Sequence, residues 1–266
     1  MTAVSVKAPL TPKADKTPHI VKLKVFWKTT KQWTMADIAD FQKSVPALAE
    51  KIKTEKYWNK DGDIKTSKFT CEDFAIRILA QYASSKGLPV KLKTGVRVYR
   101  NMELYNAAEH DKYSSTMYGF GDMVMLTYGA PDMQRIGENT VVVARPEDLV
   151  PGDILALAHD SKGIATGGRA HHIQVVIATG RGSLAIYQGN ADDTTHRPFT
   201  WINRLLRRNA ADSQQSAYAG LPVEQGVYVA KGKGRWDYTN HTTKNHNKDY
   251  LKYFDLFRWN FMEFNN

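Results

Sequence analysis

From His19 the chain alternates apolar and polar side chains through Ile20, Lys22, Leu23, Lys24 and Val25, a pattern that predicts a short strand. Thr34 with Asp37 forms a capping-box pair, and Ile38, Phe41, Val45, Leu48 and Ile52 then keep helical spacing. Pro46 lies within that stripe and predicts a break into two helices. The clearest helix is expected from Thr70, where Phe74, Ala75, Ile78, Leu79 and Tyr82 make one apolar stripe that Gly87 and Pro89 stop. Beyond it, β-rich segments recur at 140–144, 153–158, 172–179, 183–188 and 226–230. One strong helix followed by short strands is the pattern of an α+β protein with an antiparallel sheet. Residues 100–138 hold a short helix and a Gly- and Met-containing stretch with no assignable period, and there is no internal repeat.

The ends of the chain differ from its middle. Residues 1–18 are mostly Lys, Thr, Pro and Ala and read as a flexible basic tail. Residues 19–230 carry the periodic elements and form the expected main domain. Residues 231–266 are rich in aromatics, among them Trp236, Tyr238, Tyr250, Phe254, Phe257 and Trp259, and are expected to pack on that domain as a C-terminal extension.

Composition narrows the chemistry. With 266 residues, 42% of them apolar, the chain is long enough for a sizeable core without disulfides. It has one cysteine, too few for a disulfide, a Cys-rich zinc site or an iron–sulfur cluster, and no cofactor is expected. Asn59, Asp61 and Asp63 imitate the start of a calcium loop, but Ile64 stands where that loop needs glycine, so no metal site is expected there; His241 and His246 lack zinc spacing. No apolar stretch approaches the ~20 residues of a membrane span, and no signal peptide is evident, so synthesis in the cytoplasm is expected. The net charge is +10, with dense points at Lys7–Lys31, Arg204–Arg208 and Lys231–Arg235. Such a surface attracts polyanions, including nucleic acid, nonspecifically, and does not choose among them.

The sole cysteine lies in Phe69-Thr70-Cys71-Glu72-Asp73-Phe74. If Thr70 is the N-cap and Asp73 its reciprocal partner, Cys71 is the first helical residue, where unsatisfied N–H groups favour a thiolate. Glu72 and Asp73 oppose that charge. A base is offered downstream by Leu149-Val150-Pro151-Gly152-Asp153 and then His171-His172-Ile173-Gln174-Val175-Val176-Ile177, with a return strand ending Gln188-Gly189-Asn190. A three-residue loop at 180–182 would set His172 opposite Asn190 and Gln174 opposite Gln188, so that either amide could orient the ring. A two-residue loop would put neither on that face. His171 takes the place of His172 if the strand is shifted by one, and Asp153 reads as a turn or cap residue.

A cysteine at a helix start, Leu-x-Pro-Gly-Asp before a strand, and His-x-x-Val-Val-Ile-x-x-Gly in the next resemble the NlpC-type and CHAP-type amidases, papain-like enzymes of the peptidoglycan hydrolase superfamily. The resemblance covers roughly residues 57–190. It implies an α+β papain-like fold, a nucleophile helix packed on a small antiparallel sheet with N- and C-terminal extensions. It implies Cys71 as nucleophile, His172 as base, Gln188 or else Asn190 as the residue fixing the ring, and Tyr57 or Trp58 near an oxyanion hole. The chain departs from the family in having Thr70 rather than an acid before the cysteine. The implied activity is cleavage of peptidoglycan stem peptides by an exported antibacterial protein, such as a type VI secretion effector or a lysin acting in the periplasm or cell wall. Such an effector would have secretion-apparatus and immunity-protein partners. Two alternatives stay open: a papain-like protease, deamidase or acyltransferase acting on proteins in a target cytosol, and a basic nucleic-acid- or wall-binding module whose cysteine is inert.

Overall fold

A computed structural model describes residues 3–8, 19–55, 67–158, 169–190, 210–213, 215 and 218–266. The Tyr57–Trp58 pair, the Asn59–Asp63 loop and the Arg204–Arg208 cluster lie outside the described residues.

Helix α1, Met35–Thr54, opens with the expected capping box: Thr34 Oγ1 accepts from the Asp37 N–H and Asp37 returns a bond to the Thr34 N–H. Pro46 does not break it. Ile38, Phe41, Val45, Ala49 and Ile52 form a buried stripe that runs past the proline in phase. The lost hydrogen bond costs about 3 kcal/mol. Burial of the large side chains on either side, about 1.5–3 kcal/mol each, outweighs it. Helix α2, Cys71–Lys86, ends at Gly87 with φ +66, the left-handed cap expected there. It is enclosed on nearly every side, because α1, the Met-rich helix α4 (Met117–Met125) and the sheet all pack on it.

The sheet that receives α2 has eight antiparallel strands among the described residues. In spatial order they are β14 (His246–Asn247), β13 (Trp236–Asn240), β12 (Glu224–Ala230), β10 (Ser183–Gln188), β9 (His172–Gly180), β8 (Ile154–Leu157), β15 (Phe254–Trp259) and β7 (Thr140–Val142). The mixed α+β class and antiparallel pairing agree with the expectation from sequence. Smaller pieces complete the fold. Strand β1 (Ala3–Ala8) pairs with β2 (His19–Val25), which pairs with β6 (Met102–Leu104). Strand β3 (Lys68–Phe69) pairs with β11 (Leu221–Pro222), and β4 (Lys91–Lys93) with β5 (Val98–Arg100). The unassigned stretch 100–138 contains β6, the short helix α3 (Ala107–His110), α4 and a 3-10 turn.

Two expectations are corrected. Residues 3–8 of the supposed flexible tail form a strand in register with β2, since Val4 and Val6 alternate with Ser5 and Lys7 at strand period. Residues 231–266 do not pack on the sheet as an extension but enter it: β13 adds beyond β12, and β15 inserts between β8 and β7. Their aromatics are not a loose cluster. Trp236 and Tyr238 alternate with Asp237 and Thr239, so one face of the strand is buried.

Both sheet faces are covered. Ile173, Val175 and Ile177 of β9 join the helices in one core; Val176 joins Leu184, Ile186, Tyr228, Tyr238 and Phe254 in the other. The Pro151-Gly152-Asp153 turn serves this construction. Gly152 has φ +94, and a Cβ there would lie 2.5 Å from the Phe41 ring. Asp153 is wholly buried, accepts from the Val150 N–H, and takes two bonds of 2.8 Å from the Arg258 guanidinium on β15. Burial pushes the Asp153 carboxyl above its usual range while Arg258 pulls it down. Arg258→Ala leaves that carboxylate without its cation and is expected to cost about 3 kcal/mol in urea denaturation. A loss under about 1 kcal/mol would show that water replaces the arginine.

Candidate active site

The chain reaches the site by a route different from the one the sequence indicates. The turn after β9 has two residues, Arg181-Gly182, with Gly182 at φ +71, and it pairs Ser183 with Gly180 and Ala185 with Ala178. Continued, that register would place Gln188 opposite Val175, on the helix face. A β-bulge intervenes: Ile186 pairs with Val176, leaving Ile177 unmatched, and Tyr187 pairs with Val175. The extra residue restores the register that a three-residue loop would have set. Gln188 and Gln174 therefore meet, with Gln174 Nε2 donating to Gln188 Oε1 at 2.7 Å.

His172 lies on the same face, and its Nε2 is 2.9 Å from Gln188 Oε1. Asn190 makes no bond to the ring among the described residues; it lines the adjoining pocket. Exposed His171 lies one position out of phase with Gln174 and so on the other face of the strand. The Gln188 amide cannot be turned over at no cost, because its Nε2 donates to Glu224 at 2.9 Å and a carboxylate only accepts. Oε1 must then face His172, so Nε2 of the imidazole carries the proton and Nδ1 keeps its lone pair. Asn240 donates to the same Glu224 oxygen, and Tyr228 donates to Gln174 Oε1. Glu224, Tyr228 and Asn240 had no part in the sequence reading. They come from strands β12 and β13, 34 or more residues beyond Asn190 or distant from any motif, and only the sheet order brings them to β10.

Cys71 arrives from the helix side. Its sulfur lies near the backbone N–H of Ile173, in the peptide unit that joins His172 to Ile173. Gly189 makes this approach possible, since a Cβ there would lie 2.2 Å from the Thr70 carbonyl oxygen. The cap of α2 differs from the expected box. The Thr70 side chain makes no cap bond; Tyr218 bridges the helix start instead, accepting from the Thr70 N–H and donating to Asp73.

No hydrogen bond joins Sγ to the imidazole. The thiol, 7% exposed, donates instead to Glu72 Oε2 at 2.8 Å. Burial first, then the Glu72 charge and hydrogen bond, push the Cys71 thiol well above its ordinary value, with only the Ile173 N–H opposing them. Burial lowers the His172 pKa, against the bond to Gln188 and the Glu72 charge. In this arrangement both groups are neutral, so the thiolate expected at a helix start is not the resting form. The helix N-terminus supplies a small favourable field; desolvation and an adjacent carboxylate supply larger unfavourable ones.

Among the described residues no group of three or more His, Cys, Asp or Glu side chains could hold a metal ion, and no helix is long and apolar enough to cross a membrane. Comparison with family models, curated proteins and solved structures found no match for this chain.

The electrostatics give a direct test. Alkylation of Cys71 by iodoacetamide should have its pH midpoint above that of an ordinary thiol, ~8.5, and Glu72→Gln should move the midpoint down. An unchanged midpoint in Glu72→Gln would show that the carboxylate does not hold the thiol proton.

Proposed function

We propose that the chain is a cysteine-dependent amide hydrolase of papain-like type, acting on peptidoglycan stem peptides. The observation that supports this reading is the meeting of three parts at one peptide unit: a sulfur at the start of a buried helix, an imidazole whose Nδ1 lone pair is left open, and a glutamine that fixes the ring. In the mechanism, Cys71 gives up its bond to Glu72 and passes its proton to Nδ1 of His172 as Sγ attacks the amide carbonyl. The N–H of Cys71 faces the developing oxyanion. His172 then returns the proton to the leaving amine, and water, deprotonated by the same nitrogen, cleaves the thioester and frees Cys71. Gln188 acts through the ring as a positioning residue. A neutral pair fits this proton transfer, because a base with a lowered pKa is unprotonated at neutral pH.

The exported antibacterial role belongs to the same proposal: the product would act in the periplasm or wall of a target bacterium, with an immunity protein in the producing cell. A second reading, a buried inert cysteine in a binding module, is favoured by the thiol's low exposure and its bond to Glu72. The two part on one experiment, mass spectrometry of purified peptidoglycan fragments after incubation with the protein under reducing conditions. Wild type should release new amino termini, Cys71→Ala none, and His172→Ala at least about 100-fold fewer. Gln188→Ala should lower turnover less than His172→Ala. Intact fragments with every wall chemotype would contradict the peptidoglycan reading, and activity retained by Cys71→Ala would contradict the nucleophile.

A further inference from the structure

His172 and Gln188 form one wall of a pocket of about 270 Å³ whose other walls include Asn190, Glu224, Tyr238 and Asn240. The pocket is polar, yet among the described residues its only fully charged side chain is Glu224 and neither Lys nor Arg lines it, although the chain as a whole carries +10. Both hydrogen bonds to Glu224 go to Oε2, from Gln188 Nε2 and Asn240 Nδ2. Among the described residues Oε1 has no donor and Glu224 has no cation. A carboxylate that already holds two amides still has vacant lone pairs. Tyr238 adds a second acceptor. It is 3% exposed, its hydroxyl is buried, and among the described residues only the Asn240 amide, already donating to Glu224, comes near it. A weakly satisfied buried hydroxyl gains from a ligand donor.

We propose that this pocket binds a primary ammonium group carried by the substrate, with Glu224 Oε1 as counter-charge and Tyr238 as a further acceptor. The inference rests on the amide-hydrolase reading and adds the substrate class: an amide with a free amine close to the bond that is cut. One glutamine side chain separates Glu224 from the imidazole, so the amine and the reacting carbonyl belong to the same or neighbouring residues of the substrate. An ammonium has three donors and no acceptor, and it fits a wall of carboxylate, phenol and amide oxygens. An acetylated amine has lost the charge and two of those donors.

The test separates binding from turnover. Cys71→Ala protein is titrated with Nα-acetyl-lysine methylamide and with its Nε-acetylated form, following the Glu224 and Tyr238 resonances by NMR. The amine-bearing probe should shift both, and acetylation should weaken binding at least tenfold. Glu224→Gln in the same background should abolish the difference, while Tyr238→Phe should lower affinity and keep the preference for the amine. Absence of any shift, equal binding of the two probes, or a preference that survives Glu224→Gln would overturn the ammonium site. The hydrolase reading has its own readout in wild-type cleavage of peptidoglycan fragments. Equal cleavage of fragments with free and acetylated amines would leave that reading standing and remove only this one.

Discussion

One unmatched residue on a central strand governs the candidate site. Ile177 bulges out of the pairing between β9 and β10, and every position beyond it shifts by one relative to the two-residue turn. Because side chains alternate with a period of two, that single step decides whether Gln188 faces the helices or the polar row of His172 and Gln174. With the bulge, a chain of bonds runs from Tyr228 through Gln174 to Gln188, and from Gln188 to both His172 and Glu224. Glu224 gives the chain its direction, since it alone accepts without donating. The proton on His172 is thereby assigned by a carboxylate that does not touch the ring.

The second constraint is the approach of α2. Gly189 lets the carbonyl before Cys71 come against the end of β10, and Tyr218 links the Thr70 N–H to Asp73 at the helix start. The sulfur ends beside the Ile173 amide, next to His172, the first residue of β9. Its own neighbour Glu72 then becomes the thiol's acceptor. The same helix start that aims the cysteine also surrounds it with carboxylates and apolar side chains. At rest the sulfur is therefore a neutral thiol rather than a stored thiolate.

Much of this was legible from residue pattern. The capping box at Thr34 and Asp37, the stop of α2 at Gly87, and the strands around His172 and Gln188 follow from local chemistry acting over a few residues. The pairing of Gln174 with Gln188 was legible in outcome but not in cause, because a bulge leaves no mark in an apolar run such as Val175-Val176-Ile177. Pro46 misled, since a proline rule knows nothing of the stripe that packs on either side of it. Cys71 stood out by its position, whereas its protonation did not, because desolvation depends on what closes over the helix. Tyr218, Glu224 and Tyr228 had no sequence signal: each acts through a contact that only the folded sheet creates. The proposed function rests on the resemblance carried by Cys71, Pro151-Gly152-Asp153 and His172 together with the arrangement of these groups.

The central claim is that Glu224, through Gln188, holds His172 with its proton on Nε2, while burial keeps the ring neutral. Nitrogen-15 NMR of histidine-labelled protein measures this directly. The account predicts a neutral His172 protonated at Nε2, with an unprotonated Nδ1, and a titration midpoint below the ordinary imidazole value of ~6.5. A His172 protonated at Nδ1 when neutral, or one that titrates at or above that value, would contradict it.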